Sequence, residues 1–202
     1  MSHEHKEYFN QLAVEWDSTM KPDPVFKDYL RQLQVQSGNR VLDIGAGTGR
    51  MTAYLSEMVG ADGLVICEDF AENMLYQAKK RIQNPNTVFI CDDACSLAVK
   101  DNFADKVILF SIFPHLKAQL QALKEIKRVL KPGGTFLVLH VEGSSTLNKF
   151  HKELNTVVSD DILPKPDELA DMALSVGFEI LKAYEQEDLY WVEGRKPGGV
   201  SI

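Results

Sequence analysis

The stretch that decides the fold is Val41-Leu42-Asp43-Ile44-Gly45-Ala46-Gly47-Thr48-Gly49-Arg50. An apolar run that ends in a glycine-rich turn and continues into residues at helical spacing predicts a strand, a tight loop and a helix. The glycines permit positive φ and the close approach of a ligand to the backbone. The dinucleotide fingerprint GxGxxG would place its third glycine at position 50, which is Arg here. Asp43 would repel a pyrophosphate but suits a cationic ligand, so the pattern disfavours a nicotinamide oxidoreductase.

The rest of the chain alternates between short apolar runs and amphipathic segments. The apolar runs predict strands at residues 40–44, 64–67, 87–91, 106–110, 135–141, 178–184 and 189–193. The segments between them predict helices at 48–58, 71–82, 116–130 and 166–176, with a weakly helical stretch at 147–158. Continuously apolar strands that alternate with helices are typical of a parallel sheet covered on both faces. The last two strands are linked too tightly for a crossover and should pair antiparallel.

These features predict an α/β fold with a doubly wound, seven-stranded, mostly parallel, Rossmann-like sheet. Helices should cover both faces, and the last strand should be antiparallel. A length of 202 residues predicts a single domain over residues 1–202. In such sheets, ligands bind beyond the carboxyl ends of the strands, so the functional residues should cluster there.

Charge and cysteine content narrow the functional class. The net charge of −7, with Lys and Arg dispersed along the chain, makes a nucleic-acid partner unlikely. No apolar run reaches the roughly 18–20 residues that a membrane span needs, and the polar N-terminus does not resemble a secretory signal. The odd number of thiols, Cys67, Cys91 and Cys95, predicts reduced cysteines in a cytoplasmic protein. A soft-metal site is their alternative use, but no metal is predicted because structural zinc sites need four closely paired ligands.

With Asp-x-Gly-x-Gly-x-Gly at positions 43–49, the sequence resembles the class I S-adenosylmethionine-dependent methyltransferases, whose first motif has this pattern. The resemblance covers about residues 8–195. It implies S-adenosylmethionine as cofactor, with its carboxylate against the backbone N–H groups of the turn and the helix start. The residues that it assigns to this end of the cofactor are Asp43, Gly45, Ala46, Gly47 and Gly49.

The same resemblance assigns residues at the ends of the following strands. Asp69 matches the acid that binds the ribose hydroxyls, Asp93 would accept from the adenine amino group, and Phe110 and Ser111 would turn backbone carbonyls toward the ammonium and methyl groups. The other cofactor contacts that it implies are Phe70, on one adenine face, Met74 and Ala94. Alternatively, Asp43 and Asp69 cap helices, Asp93 is a turn residue, and Phe70 and Met74 belong to the core.

Methyl transfer from a sulfonium is an in-line displacement in which the protein mainly aligns donor and acceptor. A base is needed only when the acceptor carries a proton of high pKa. His115, after the fourth strand, and His140, at the end of the fifth, are the candidate catalytic residues, because imidazole titrates near neutrality. Glu142 is a weaker candidate, and both histidines could instead be structural.

The acceptor side is predicted from the N-terminus and from what the sequence lacks. Phe9, Ala13, Trp16 and Asp17 resemble the F-x-x-x-A-x-x-W-D opening of ubiquinone/menaquinone-type methyltransferases. Residues 1–30 are therefore predicted to form a helical cap, and residues 143–165 a possible substrate-side insertion. No Asn-Pro-Pro-Tyr or Asp-Pro-Pro-Tyr follows the fourth strand, which favours a small-molecule acceptor. A non-catalytic cofactor-binding module and a protein or RNA methyltransferase remain alternatives, and the oligomeric state is open.

Overall fold

A seven-stranded sheet organises the computed structural model, which describes residues 2–18 and 25–198. Its strands are β1 (Arg40–Ile44), β2 (Leu64–Asp69), β3 (Thr87–Cys91), β4 (Ala104–Phe110), β5 (Leu130–His140), β6 (Glu179–Gln186) and β7 (Leu189–Arg195). The strand order is β3-β2-β1-β4-β5-β7-β6. The first five strands run parallel, and β7 lies antiparallel between β5 and β6. The predicted fold class, including the antiparallel last strand, is confirmed.

Helices cover both faces of this sheet. The helices of the described residues are α1 (His3–Leu12), α2 (Val25–Gln32), α3 (Arg50–Val59), α4 (Glu72–Arg81), α5 (Gln119–Val129), α6 (Ser144–Leu154) and α7 (Pro166–Ser175), and α1 packs on α4. Because strand side chains alternate between faces, Val41 packs toward α2 and α3, whereas Leu42 and Ile44 pack toward α5 and α7. Burial on both sides explains why the central strands read as continuously apolar runs.

Several predicted boundaries were wrong by a few residues, and three of them have a clear physical reason. Strand β2 continues to Asp69 instead of ending at residue 67, because its last residues still pair with β1 and β3. Helix α5 begins at Gln119, not at residue 116, because a short 3-10 turn occupies Phe113–His115. Strand β5 starts at Leu130, not at the predicted residue 135. The reason is that residues 131–134 form a bulge between the pairs Ala104–Leu130 and Lys106–Thr135.

The sheet contains a topological switch point between β1 and β4. The chain leaves β1 toward β2 and β3 on one side and returns through β4 and β5 on the other. At such a point, the loops that follow the two adjacent strands diverge and leave a crevice. The glycine-rich turn after β1 and the Phe110–Ile112 segment after β4 both line it.

The two segments predicted to serve the acceptor side have defined structure. Residues 143–165 contain α6 and a loop that ends at α7, and α1 precedes a short 3-10 turn at Trp16–Ser18. Residues 19–24 of the predicted cap lie outside the described part of the chain. Within the described residues, no helix is long and apolar enough to cross a membrane. The division into a cap and an insertion stays a prediction.

Candidate functional site

A narrow cleft lies beyond the carboxyl ends of β1, β2 and β4. The sequence-predicted residues that line it are Gly45, Ala46, Gly47, Asp69, Met74, Phe110, Ser111 and His115. Phe9, Trp16, Thr48, Arg50 and Ile112 complete its wall. The cleft therefore brings together residues from the first, second and fourth strand ends, as expected for this topology.

The glycine turn has a conformation that other residues adopt only with strain. Gly45, Gly47 and Gly49 have φ values of 63°, 56° and 77°. A Cβ atom on Gly45 would lie 2.3 Å from the Ile112 side chain, and one on Gly49 would lie 2.6 Å from Ile82. Backbone geometry thus favours glycine at all three positions, and close packing adds to this at Gly45 and Gly49. Gly49 is the N-cap of α3 and does not line the cleft.

Carboxylates at the end of β2 hold this turn in place. Gly47 N donates to Asp69 Oδ2 at 2.8 Å, and Ala71 N donates to Asp69 Oδ1 at 2.8 Å. Gly45 N donates to Glu68 Oε2 at 3.2 Å. Burial raises the pKa of Asp69 to about 6, against the lowering effect of its backbone donors. Burial also raises the pKa of Glu68 well above its ordinary value. Asp69 thus reaches the cleft as a strand-end acceptor, while Glu68 supports the loop behind it.

Asp43 lies behind the glycine turn and is fully buried. The Thr52 hydroxyl donates to its Oδ2 at 2.5 Å, whereas its Oδ1 has no hydrogen-bond partner among the described residues. Burial raises the pKa of Asp43 to about 7, and the nearby Asp69 adds to this effect. Asp43 does not line the cleft, but its unpaired oxygen is the kind of acceptor that a cationic donor would satisfy.

The Asp43→Asn variant is expected to be more stable than the wild type at alkaline pH. The folded protein keeps Asp43 protonated up to about pH 7, against an ordinary value of 3.8, so its stabilising proton is lost as pH rises through 7. Asparagine resembles the neutral form at every pH. Between pH 6 and 8.5 the free energy of unfolding of the variant should gain about 1.4 kcal/mol on the wild type, or roughly 3–6 °C in Tm. Parallel Tm–pH curves for the two proteins would contradict the assignment.

The residues predicted around the adenine do not share this cleft. Phe70 and Asp93 line a second depression together with Cys91 and Asp92. Asp93 Oδ1 accepts from Cys95 N at 2.9 Å, which is the geometry of a turn residue. Ala94 is buried in the core. The Phe9 ring, which lines the cleft, contacts the Phe70 ring at 6.1 Å, so the two depressions adjoin.

His140 does not reach the cleft. It is 2% exposed, its ring packs edge-on against Tyr190 at 5.6 Å, and its Nε2 has no partner among the described residues. Burial lowers the pKa of His140 to about 3. A neutral imidazole enclosed in the core cannot exchange protons with a substrate, so the structural alternative stated for this residue fits its surroundings better.

His115 lines the cleft and belongs to a cluster that sequence reasoning missed. Its Nδ1 lies 2.7 Å from Asp161 Oδ2. His5 Nε2 lies 3.0 Å from the same oxygen, and Lys117 Nζ lies 2.6 Å from Asp161 Oδ1. His151 Nδ1 lies 2.8 Å from the Asp161 backbone oxygen. Asp161 comes from a polar loop 46 positions after His115, and no spacing in the sequence signals that the two meet.

The N-terminal segment covers the cleft. Phe9 packs edge-on against the His115 ring at 5.1 Å. Thr48 Oγ1 donates to Asp17 Oδ1 at 2.7 Å, and Arg81 also pairs with Asp17. The cleft has a volume of about 60 Å³, well below the roughly 300–1,000 Å³ of pockets that hold drug-sized ligands. A ligand of that size requires movement of the covering segment.

Comparisons with known proteins show which proteins the chain resembles. Residues 42–138 match a family model described as a methyltransferase domain. A demethylmenaquinone methyltransferase from Staphylococcus saprophyticus is 36% identical over 121 residues, which are 59% of this chain and 52% of that protein. The chain is similar to the class I S-adenosylmethionine-dependent methyltransferases. A ubiquinone/menaquinone biosynthesis C-methyltransferase from Yersinia pestis is also 36% identical, over 67% of this chain and 55% of that protein.

This chain spans about half the length of the curated relatives that it matches. Solved structures share its fold over nearly the whole chain. A SAM-dependent methyltransferase from Aquifex aeolicus has a TM-score of 0.73 at 21% identity and covers 95% of this chain and 98% of its own. A Haloferax volcanii complex of the Trm112 methyltransferase activator and a putative methyltransferase has a TM-score of 0.77 at 18% identity, with coverages of 94% and 97%.

The methyltransferase cofactor fits the residues present. The glycine turn offers a backbone cradle that a Cβ atom would fill, and Asp69 offers a carboxylate at the cleft. Asp43 offers a buried oxygen without a partner, which suits a ligand that carries cationic groups. S-adenosylmethionine has an ammonium group, ribose hydroxyls and a carboxylate, and each has a complementary group in this methyltransferase site.

Proposed function

We propose that the chain binds S-adenosylmethionine in this cleft and transfers its methyl group to a small-molecule acceptor by in-line displacement. The observation that carries the proposal is the convergence of the glycine turn, Asp69 and the Phe110–Ile112 segment on one cleft. When bound, S-adenosylmethionine supplies an electrophilic methyl group on a sulfonium, and the C–S electron pair stays on sulfur after transfer.

Each of the proposed binding residues has a distinct role. Asp69 would accept both ribose hydroxyls through the lone pairs that remain free on its two oxygens, each of which now accepts one backbone N–H. The turn from Gly45 to Thr48 would bind the carboxylate end of the cofactor through its N–H groups. Phe9 and Trp16 would exclude water from the reacting atoms, since they lie over the cleft and lid closure commonly has this effect.

A small acceptor is favoured over a macromolecule. The names of the relatives refer to demethylmenaquinone and to ubiquinone/menaquinone biosynthesis. The narrow, partly aromatic cleft suits a small planar molecule. The cytoplasm is the proposed location, because all three cysteines of the chain are free thiols and reduced cysteines are typical of that compartment.

Calorimetric titration tests the binding step directly. We expect micromolar affinity for S-adenosylmethionine and S-adenosylhomocysteine and no heat with NAD. Binding of NAD alone would overturn the proposal in favour of hydride transfer. Binding of none of the three would identify a degenerate site and leave an interaction module as the better description.

A further inference from the structure

A cluster of polar contacts surrounds Asp161, and His115 joins it to the cleft. The Asp161 side chain is fully buried, yet it accepts from donors on two separate segments: His5 on α1, and His115 and Lys117 between β4 and α5. Burial alone would raise the pKa of Asp161, but the hydrogen bonds from His115 and Lys117 outweigh it and hold that pKa well below its usual range. Asp161 is therefore an ionised acceptor beside the cleft.

An ionised carboxylate fixes the tautomer of its imidazole partner. Asp161 Oδ2 can only accept, so the proton of a neutral His115 ring sits on Nδ1, which lies 2.7 Å away. The lone pair is then on Nε2, and no described residue donates to that atom. Burial, together with the neighbouring His151 and His5, lowers the pKa of His115 despite the raising effect of Asp161, so the ring is neutral near pH 7. A neutral, oriented imidazole at a substrate cleft has the geometry of a general base.

The chemistry of the cleft indicates which acceptor would need this base. Its walls beside His115 are the aromatic side chains Phe9, Trp16 and Phe110, with Ile112. Asp69 is the only carboxylate among the described residues that line it, and its role is assigned to the ribose. An aromatic ring suits these walls, and a phenolic hydroxyl, with a pKa of about 10, is a poor nucleophile until its proton is removed.

We propose that His115 is the general base of this enzyme, that Asp161 is its positioning residue, and that the acceptor is a phenol. This inference rests on the proposed function. His115 Nε2 takes the hydroxyl proton, and the electron pair released on oxygen forms the new bond to the methyl carbon as the C–S pair remains on sulfur. Asp161 balances the imidazolium charge until the ring releases the proton to solvent.

The test compares two phenols, of which one needs a base to remove its hydroxyl proton and the other is already largely ionised. The hydroxyl of p-cresol is protonated at pH 8.5, whereas 4-nitrophenol is largely ionised. Formation of S-adenosylhomocysteine is followed for the wild type, Asp161→Asn, His115→Gln and the matched control Asp160→Asn, which changes the exposed neighbouring carboxylate. Asp161→Asn and His115→Gln should each lose about 10²–10⁴-fold in kcat with p-cresol and less than tenfold with 4-nitrophenol. The control should keep the wild-type kcat with both phenols.

Two further readouts separate a positioning role from a structural one. Nitrogen NMR of the protein alone should show His115 protonated at Nδ1 and unprotonated at Nε2, and Asp161→Asn should shift this tautomer balance. The wild-type rate with p-cresol should rise with pH, and the midpoint of this rise should lie below 6.5, the ordinary pKa of histidine. Asp161→Asn should move the midpoint to lower pH, because the variant lacks the carboxylate that favours the charged ring. The other titratable groups around this ring are Lys117, His5, His151 and His140.

Each outcome distinguishes the proposals. If the variants lose kcat equally with both phenols, or if the His115 ring is protonated at Nε2, the assignment of His115 as base and Asp161 as its positioning residue is overturned. A wild type that binds S-adenosylmethionine in the calorimeter but methylates neither phenol would overturn the acceptor class and leave the proposed function intact. A wild type that does not bind the cofactor would overturn the proposed function itself. Circular dichroism of the variants confirms folding, and His115→Gln serves if Asp161→Asn unfolds.

Discussion

The Asp69→Ala variant is expected to bind S-adenosylmethionine about 10²–10⁴-fold more weakly than the wild type. A carboxylate that accepts two ribose hydroxyls makes two charge-assisted hydrogen bonds, each of about 1.5–3 kcal/mol, and alanine makes neither. The variant also leaves the backbone donors of Gly47 and Ala71 without the acceptor that they have now. Calorimetric titration at constant pH and salt measures the change in Kd.

Two comparisons make this result specific. Asp62→Ala removes an exposed carboxylate in the turn before β2 and should leave the affinity unchanged. Asp69→Asn keeps one acceptor oxygen and should fall between alanine and the wild type. An Asp69→Ala protein that is folded by circular dichroism and binds within threefold of the wild type would remove Asp69 from the ribose site.

The Gly45→Ala variant is expected to lose about 2–5 kcal/mol of unfolding free energy. Its φ of 63° is a left-handed conformation, which costs a residue with a Cβ about 1–2 kcal/mol. The new methyl group would also lie 2.3 Å from Ile112, and overpacking of this kind costs about 1–3 kcal/mol. Denaturant unfolding measures the sum, and cofactor affinity should fall with it because Ile112 and Gly45 both line the cleft.

Gly38→Ala separates the two contributions. Gly38 has a φ of 82°, but a Cβ atom there would have nothing within 4 Å. It should lose only the backbone term, about 1–2 kcal/mol, and its cofactor affinity should not change. Equal losses at Gly38 and Gly45 would show that close packing against Ile112 has no energetic weight.

The fold was predictable because its signals are local. Each central strand is buried on both faces, so the run of apolar residues marks it directly, as at Val107–Leu109. The ends were less predictable because pairing decides them. Asp69 belongs to β2 since it pairs with Cys91 on β3, and the polar character of residues 68–69 conceals this from a reading of apolar runs.

The cleft was predictable only as far as it consists of strand ends. Gly45, Asp69 and Phe110 come together because parallel strands place their carboxyl ends at one edge. His115 lies in a turn after β4, whereas His140 is the last residue of β5. Because both follow apolar runs in the sequence, the sequence alone did not distinguish the residue at the cleft from the buried one. Asp161 was not predictable, because its partners come from segments far away in the chain.

The contact between His5 and Asp161 has a consequence for how the molecule is made. The two residues are 156 positions apart, so a ribosome that adds 5–20 residues per second needs roughly 10–30 s to deliver the second after the first. During that interval Phe9 and Ala13 can already pack against α4, but Val158, their other neighbour, has not been made. The polar cluster around Asp161 is therefore completed late in synthesis, after the first five strands have been made.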